Sequence, residues 1–243
     1  MIGVIVGSGF EDLRLEHCLD RVFQTPFGEV DLTTGRWANQ KVALVYRHGK
    51  DHRYAPHQVP YRAQIWALKS LGVSHILATG TVGGMSADNA PGHMSVPDQI
   101  VDYTWGREST YWGVEGFKCQ HIDFTEPFSS LLREALLESA KALKIYVHNG
   151  GVYACTQGPR LESAAEVRRM IMDGCDMCGM TAMPEAALAR ELGMEYAMLC
   201  ASVNWAAGLS GSTIAWDDVK QTMANVVVNM KKILNDTISH LNF

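Results

Sequence analysis

The sequence predicts an α/β fold, a mainly parallel sheet covered by helices, and two observations carry the prediction. Short segments that are apolar on both faces alternate along the chain with segments of helical periodicity. At 243 residues, 47% of them hydrophobic, the chain is long enough to bury a full core, and no linker, repeat or low-complexity segment interrupts it. Residues 1–243 are therefore read as one domain.

Taken in order, the first strand is 2–6, Ile-Gly-Val-Ile-Val, followed by apolar strands at 41–46 and 75–79 with a helical pattern at 59–71 between them. A strand at 96–101 precedes a helix at 129–143. Strand 152–156 is β-branched, aromatic and apolar, and Gly158-Pro159 breaks it. Ser163 and Glu166 have capping-box spacing ahead of Val167, Met170 and Ile171, so a helix starts near Ser163 and runs to 173. Strand 176–180 leads to a helix at 184–192 that opens on Pro184. Strand 196–203 and a helix at 217–241 close the pattern. Between them the Gly/Ser-rich stretch 206–213 suits a mobile loop over a site.

Composition narrows the partners. A net charge of −5 offers no cationic surface for nucleic acid or an anionic membrane, and no apolar run approaches the roughly 18 residues of a membrane span. The first residues lack the basic flank and cleavage site of a signal peptide, and a cytoplasmic protein is expected. Six irregularly spaced cysteines are too few for a disulfide scaffold.

Several polar residues fall at the ends of predicted strands. Gly7-Ser8-Gly9 follows the first, where its amides and the Ser8 hydroxyl suit a small anion or simply a tight turn. Asp12 stands where a dinucleotide fingerprint needs its third glycine. Arg47-His48 follows the second strand and pairs a guanidinium fork with an imidazole, which suits phosphate, although a His- and Arg-rich surface loop reads the same way. Zinc on His48, His52 and His57 is a poor reading, because the prolines of 51–60 disfavour the helix that would align them. Cys175 and Cys178 have redox or zinc spacing but no second pair, and Cys178 reads as a buried structural thiol. Thr181 ends one strand and Asn204 another, each a binding group or a plain turn residue; Met180 is either core or a thioether packed on a ligand. Glu162 sits at a strand-to-helix junction, the edge of an α/β sheet where ligands bind.

Together these segments resemble the purine nucleoside phosphorylase and methylthioadenosine phosphorylase family. The likeness covers nearly the whole chain: GSGFEDL, RHGKDH, VPYRAQIWALKSLG, TVGG, TQGPRLES, GMTAMPEAALARELG and the strand ending in Asn204. It implies a three-layer α/β/α fold with a mixed sheet, usually a homotrimer. The implied reaction cleaves a purine nucleoside with inorganic phosphate as co-substrate, in purine salvage, with no metal or cofactor. By position, Ser8, Arg47, His48, Thr81 and Thr181 resemble the phosphate ligands and Met180 the residue packed on the ribose. The chain departs from the family at Gly80-Thr81, where Asn, Ser or Thr followed by Ala or Ser usually precedes the Gly-Gly.

The resemblance also bears on which nucleoside is cleaved. Members acting on 6-oxopurines carry Glu and Asn at the positions of Glu162 and Asn204, whereas methylthioadenosine phosphorylases carry Ser and Asp. An ionised Glu162 accepts the N1–H of a 6-oxopurine, and adenine offers only a lone pair there. Asn204 donates to O6 or N7, and with His48 it forms the expected catalytic pair. At the 5′ end the inosine-cleaving members place a His where this chain has Trp216, with Ile214 near by, an apolar wall that suits a methylthio group. His121 resembles the residue that methylthioadenosine phosphorylases contribute from a neighbouring subunit. The expected substrate is 5′-methylthioinosine; methylthioadenosine and inosine or guanosine are the alternatives.

Overall fold

The computed structural model describes residues 1–117 and 121–241. Strand β1 (Ile2–Val6) forms where predicted, parallel to β4 (Gln40–Tyr46) on one side and to β5 (His75–Gly84) on the other. Successive side chains enter opposite layers, as the two-residue period of a strand requires: Ala43 and Val45 join one apolar cluster, Val42 and Leu44 another. Strand β11 (Glu195–Trp205) runs parallel to β5 and divides in the same way, with Met198 and Cys200 on one side and Leu199 and Ala201 on the other. Helices α1 (Tyr61–Ser70) and α4 (Ala182–Glu191) bury residues in the first cluster, α2 (Ser130–Ala142) and α5 (Trp216–His240) in the second. This is the three-layer α/β/α arrangement with a mixed, mainly parallel sheet.

Beyond β5 the sheet continues through β10 (Met177–Gly179) and β9 (Val152–Cys155) to β7 (Gln99–Asp102). Helix α3 (Ala164–Met172) starts as the sequence predicts: Ser163 accepts from the Glu166 amide while the Glu166 carboxylate accepts from the Ser163 amide. Among the described residues no helix is long and apolar enough to cross a membrane.

The structure corrects the expected elements at several points, β5 among them, expected to end at 79 but running to Gly84. The strand expected at 96–101 is two: β6 (Met94–Val96) pairs with β11 and with the short β8 (His148–Asn149), whereas β7 pairs with β9. Pro97 stands between them and has no N–H to continue a ladder. A long antiparallel hairpin, β2 (Glu16–Thr25) and β3 (Gly28–Trp37), was not expected at all; β2 is almost wholly exposed and so carries no apolar signal. The first helix begins two residues late, at Tyr61, after a 3₁₀ turn at Pro56–Gln58. Strand β11 does not stop at Val203 but carries Asn204 and Trp205 within it.

Candidate active site

The site lies where β5 changes partners. One edge of β5 pairs with β11 throughout; the other pairs with β1 as far as Ala78 and with β10 from Gly83. Residues 79–82 therefore face a gap on that edge, the kind of switch point at which α/β sheets bind ligands. A cavity of about 600 Å³ opens there. Its walls include Ser8, Arg47, His48, Thr81, Glu162, Met180, Thr181, Asn204 and Trp216, nine of the ten side chains singled out from the sequence. His121 is the tenth: it does not line this cavity, and its exposed ring stands edge-on to Trp112 at 5.3 Å.

At one end of the cavity a buried cation is fixed from behind. Arg47 is only 1% exposed, and its Nε and Nη2 donate to the two oxygens of Glu185 at 2.7 and 2.8 Å. Nη1 donates to the Thr79 carbonyl at 2.8 Å, and the Tyr196 hydroxyl donates to Glu185 Oε1 at 2.7 Å. Burial opposes the guanidinium charge, and the Glu185 carboxylate more than offsets this, so the pKa of Arg47 rises. Three of the five guanidinium N–H groups are used in this way, leaving two for a ligand.

His48 is held differently. Its Nδ1 lies 2.8 Å from the Tyr54 carbonyl and donates to it, so in the neutral ring Nε2 keeps its lone pair. Burial, and then the neighbouring Arg47 charge, lower its pKa to about 4, so the ring is neutral near pH 7. A neutral Nε2 accepts a hydrogen bond, which fits a P–OH or a sugar hydroxyl. The His52 ring stacks on His48 at 4.7 Å and reaches the Ser8 hydroxyl at 3.4 Å.

The glycine turn is less open to an anion than the sequence suggests. The Gly7 amide donates to Thr79 Oγ1 at 3.2 Å and the Gly9 amide to Glu11 Oε1 at 3.0 Å. Of this turn, Gly7 and Ser8 line the cavity. Gly80, the departure from the family pattern, lies over Met198: an added Cβ would come within 2.7 Å of the Met198 methyl.

At the other end Glu162 precedes the cap of α3. Its Oε1 accepts from the Thr156 hydroxyl at 2.6 Å, and Oε2 lies 3.8 Å from the Cys178 thiol. Asn204 is brought in by a β-bulge: β11 pairs Ser202 with Val82 and Asn204 with Gly83, leaving Val203 as the extra residue. Adjacent strand residues normally face opposite ways, yet Val203 and Asn204 both line the cavity. The Asn204 Nδ2 donates to the Trp205 carbonyl at 2.7 Å. Between the two ends Met180 packs on Gly158, whose backbone is left-handed (φ +61) and where an added Cβ would come within 2.6 Å of the Met180 sulfur. Trp216 opens α5 and lines the cavity with Ile214 and Val219, although it is still 62% exposed.

Sequence reasoning missed Glu185 and Tyr196, which hold Arg47 from within a helix and a strand that read simply as core. It also missed Arg107, in a segment without pattern, whose guanidinium donates to the carbonyls of Thr156, Gln157 and Met183 and so ties the Glu162 loop to the start of α4. Cys178 is buried as expected but is also cavity wall. No group of three or more His, Cys, Asp or Glu able to hold a metal ion occurs among the described residues.

Comparison with known proteins agrees with this geometry. The family model described as "Phosphorylase superfamily" matches residues 1–239. The chain belongs to the phosphorylase superfamily. The phosphorylase is 43% identical over 232 residues to a probable S-methyl-5′-thioinosine phosphorylase of Xanthomonas campestris, covering 94% of this chain and 90% of that one. To a 6-oxopurine nucleoside phosphorylase of Pyrococcus furiosus it is 41% identical over 238 residues, covering 96% and 90%. Methylthioadenosine phosphorylase from Schistosoma mansoni in complex with tubercidin superposes with a TM-score of 0.91 at 33% identity, covering 98% of this chain and 90% of that one.

Proposed function

We propose that this phosphorylase cleaves S-methyl-5′-thioinosine with inorganic phosphate, giving hypoxanthine and 5-methylthioribose 1-phosphate, with phosphate and nucleoside as its only small-molecule partners and no cofactor. The observation that carries this reading is the pair Glu162 and Asn204 in one cavity whose mouth is lined by Trp216, Ile214 and Val219. A carboxylate acceptor and an amide suit N1–H and O6 or N7 of a 6-oxopurine; an apolar mouth suits a thioether and leaves a 5′-hydroxyl without a partner. Relatives named for methylthioinosine and for 6-oxopurine nucleosides support it. The site draws on residues from Ser8 to Trp216, which supports reading the chain as one catalytic domain.

The chemistry follows from the two ends. Glycosidic cleavage passes through an oxocarbenium-like state, so the base leaves with negative charge while phosphate attacks the sugar carbon. Arg47 donates to phosphate with its two unused N–H groups, Ser8, Thr81 and Thr181 contribute hydroxyl or backbone donors, and neutral His48 accepts from its P–OH. Met180 packs on the sugar and Asn204 stabilises the leaving base, more strongly as its charge develops. His121, outside its own cavity, completes a neighbouring subunit's site in a homotrimer. The described cysteines are free, which supports a cytoplasmic, reducing setting.

A second reading, phosphorolysis of inosine and guanosine, is favoured by the Pyrococcus furiosus relative and by the exposure of Trp216. Initial rates on methylthioinosine, methylthioadenosine, inosine and adenosine, each with and without phosphate, separate the cases. Phosphate-dependent cleavage fastest on methylthioinosine is expected. Equal rates without phosphate would end the phosphorylase reading, and preference for methylthioadenosine would end the base assignment.

A further inference from the structure

We propose that Thr156 makes the base end a single-donor site, so that hypoxanthine nucleosides are cleaved in preference to guanine nucleosides; this rests on Glu162 being the carboxylate that receives the base. The Thr156 amide donates to the Gly179 carbonyl at 2.7 Å, which fixes the residue at the end of β9. Its hydroxyl has two acceptors within reach, Glu162 Oε1 at 2.6 Å and the Gly179 carbonyl at 3.3 Å, and the shorter, charge-assisted bond wins.

Thr156 is not part of the main cavity wall. It borders a smaller cavity of about 200 Å³ behind Glu162, with Tyr103, Trp105 and Gln157. Oε1 is therefore turned toward a hydroxyl at the back, while Oε2 stands beside Cys178, which does line the main cavity. Oε1 keeps one lone pair beside the strong Thr156 bond, whereas Oε2 carries only the long, weak contact from the Cys178 thiol, so the carboxylate meets the base chiefly through Oε2.

On the edge that meets Glu162, hypoxanthine presents one donor, N1–H. Guanine presents two, N1–H and the 2-amino group, spaced to take both oxygens of a carboxylate. With Oε1 engaged behind, the 2-amino group meets the Cys178 thiol. Sulfur is a weak acceptor, and this thiol is kept protonated by its burial and by the adjacent carboxylate. It also points toward the Gly83 carbonyl at 3.6 Å. Guanine is left with an unpartnered amino hydrogen in a desolvated pocket, a mismatch worth on the order of tenfold to a hundredfold in specificity.

The test compares kcat/KM for 5′-methylthioinosine and its 2-amino counterpart, 5′-methylthioguanosine, at saturating phosphate in the wild type, Thr156→Val and Thr156→Ser. The wild type should favour methylthioinosine by about tenfold or more. Thr156→Val frees Oε1 and should erase most of that preference, whereas Thr156→Ser, which keeps the hydroxyl, should retain it. Equal wild-type rates on the two nucleosides, or an unchanged ratio in Thr156→Val, would overturn the role of Thr156 and leave the proposed reaction standing. A wild type that prefers methylthioadenosine to both removes the base assignment and this inference with it. Calorimetric affinities of the wild type for hypoxanthine and guanine decide the matter if the valine variant does not fold: tighter hypoxanthine supports the inference and equal affinities end it.

Discussion

At the anion end of the cavity Arg47 is fixed by three hydrogen bonds to buried partners, whereas at the base end Glu162 rests on the Thr156 hydroxyl and the Asn204 amide on its neighbour's carbonyl. The first end is continuous with the core: Glu185 and Tyr196 are themselves buried and belong to elements that pack the sheet. The second is carried by a helix cap and a strand bulge, where one residue can change without moving the scaffold. On the proposed assignment, the difference teaches how one phosphorolytic centre could be fitted to several bases: the part assigned to phosphate is built into the fold, and the part assigned to the purine is mounted on its margin.

The largest effect should come from breaking the built-in end. Glu185→Gln leaves the Arg47 charge buried without its counter-ion, and should cost about 3 kcal/mol of stability in urea denaturation. The KM for phosphate should rise about tenfold or more, with a much smaller change for the nucleoside. Unchanged stability and unchanged phosphate KM would show that the pair does not organise this end.

At the base end the outcome should be reversed. Asn204→Asp should leave stability within about 0.5 kcal/mol of wild type, yet raise activity on methylthioadenosine relative to methylthioinosine by roughly tenfold. If the ratio does not move, Asn204 has no part in selecting the base.

The smallest effect is a pH dependence. His48 is held neutral down to about pH 4 in the folded protein, against an ordinary value of 6.5. Between these values the unfolded chain binds the extra proton, so this contribution to stability is complete above pH 6.5 and is lost as pH falls toward 4. His48→Gln should flatten that part of the stability curve, measured as urea midpoints from pH 7 to 4.5. A variant whose midpoints fall in parallel with the wild type would show that His48 is not the group responsible.

Much of this candidate site is legible in the sequence because the side chains that line its cavity sit at strand ends and helix starts, positions marked by local punctuation. Gly158-Pro159 and the Ser163 cap locate Glu162; the change from apolar strand to polar residue locates Arg47, Thr181 and Asn204. What stays hidden depends on distant partners. Glu185 lies 138 positions from Arg47 and looks like any acidic residue in the first turn of a helix. Cys178 reads as core because its burial is correctly inferred, but burial alone does not say that one face borders a cavity. Strand β2 escapes because exposed antiparallel strands need no apolar alternation, and β6 and β7 merge in the sequence because only Pro97 and Asp98 separate them.

The buried ion pair also bears on how the enzyme lets go. Glu185 already balances Arg47 and His48 is uncharged, so these groups meet an incoming anion with directed N–H and lone-pair contacts, not with surplus positive charge. On the proposed assignment, a sugar 1-phosphate formed there would be held by directed contacts and not by net charge, an arrangement that orients the anion without adding a long-range pull against its release.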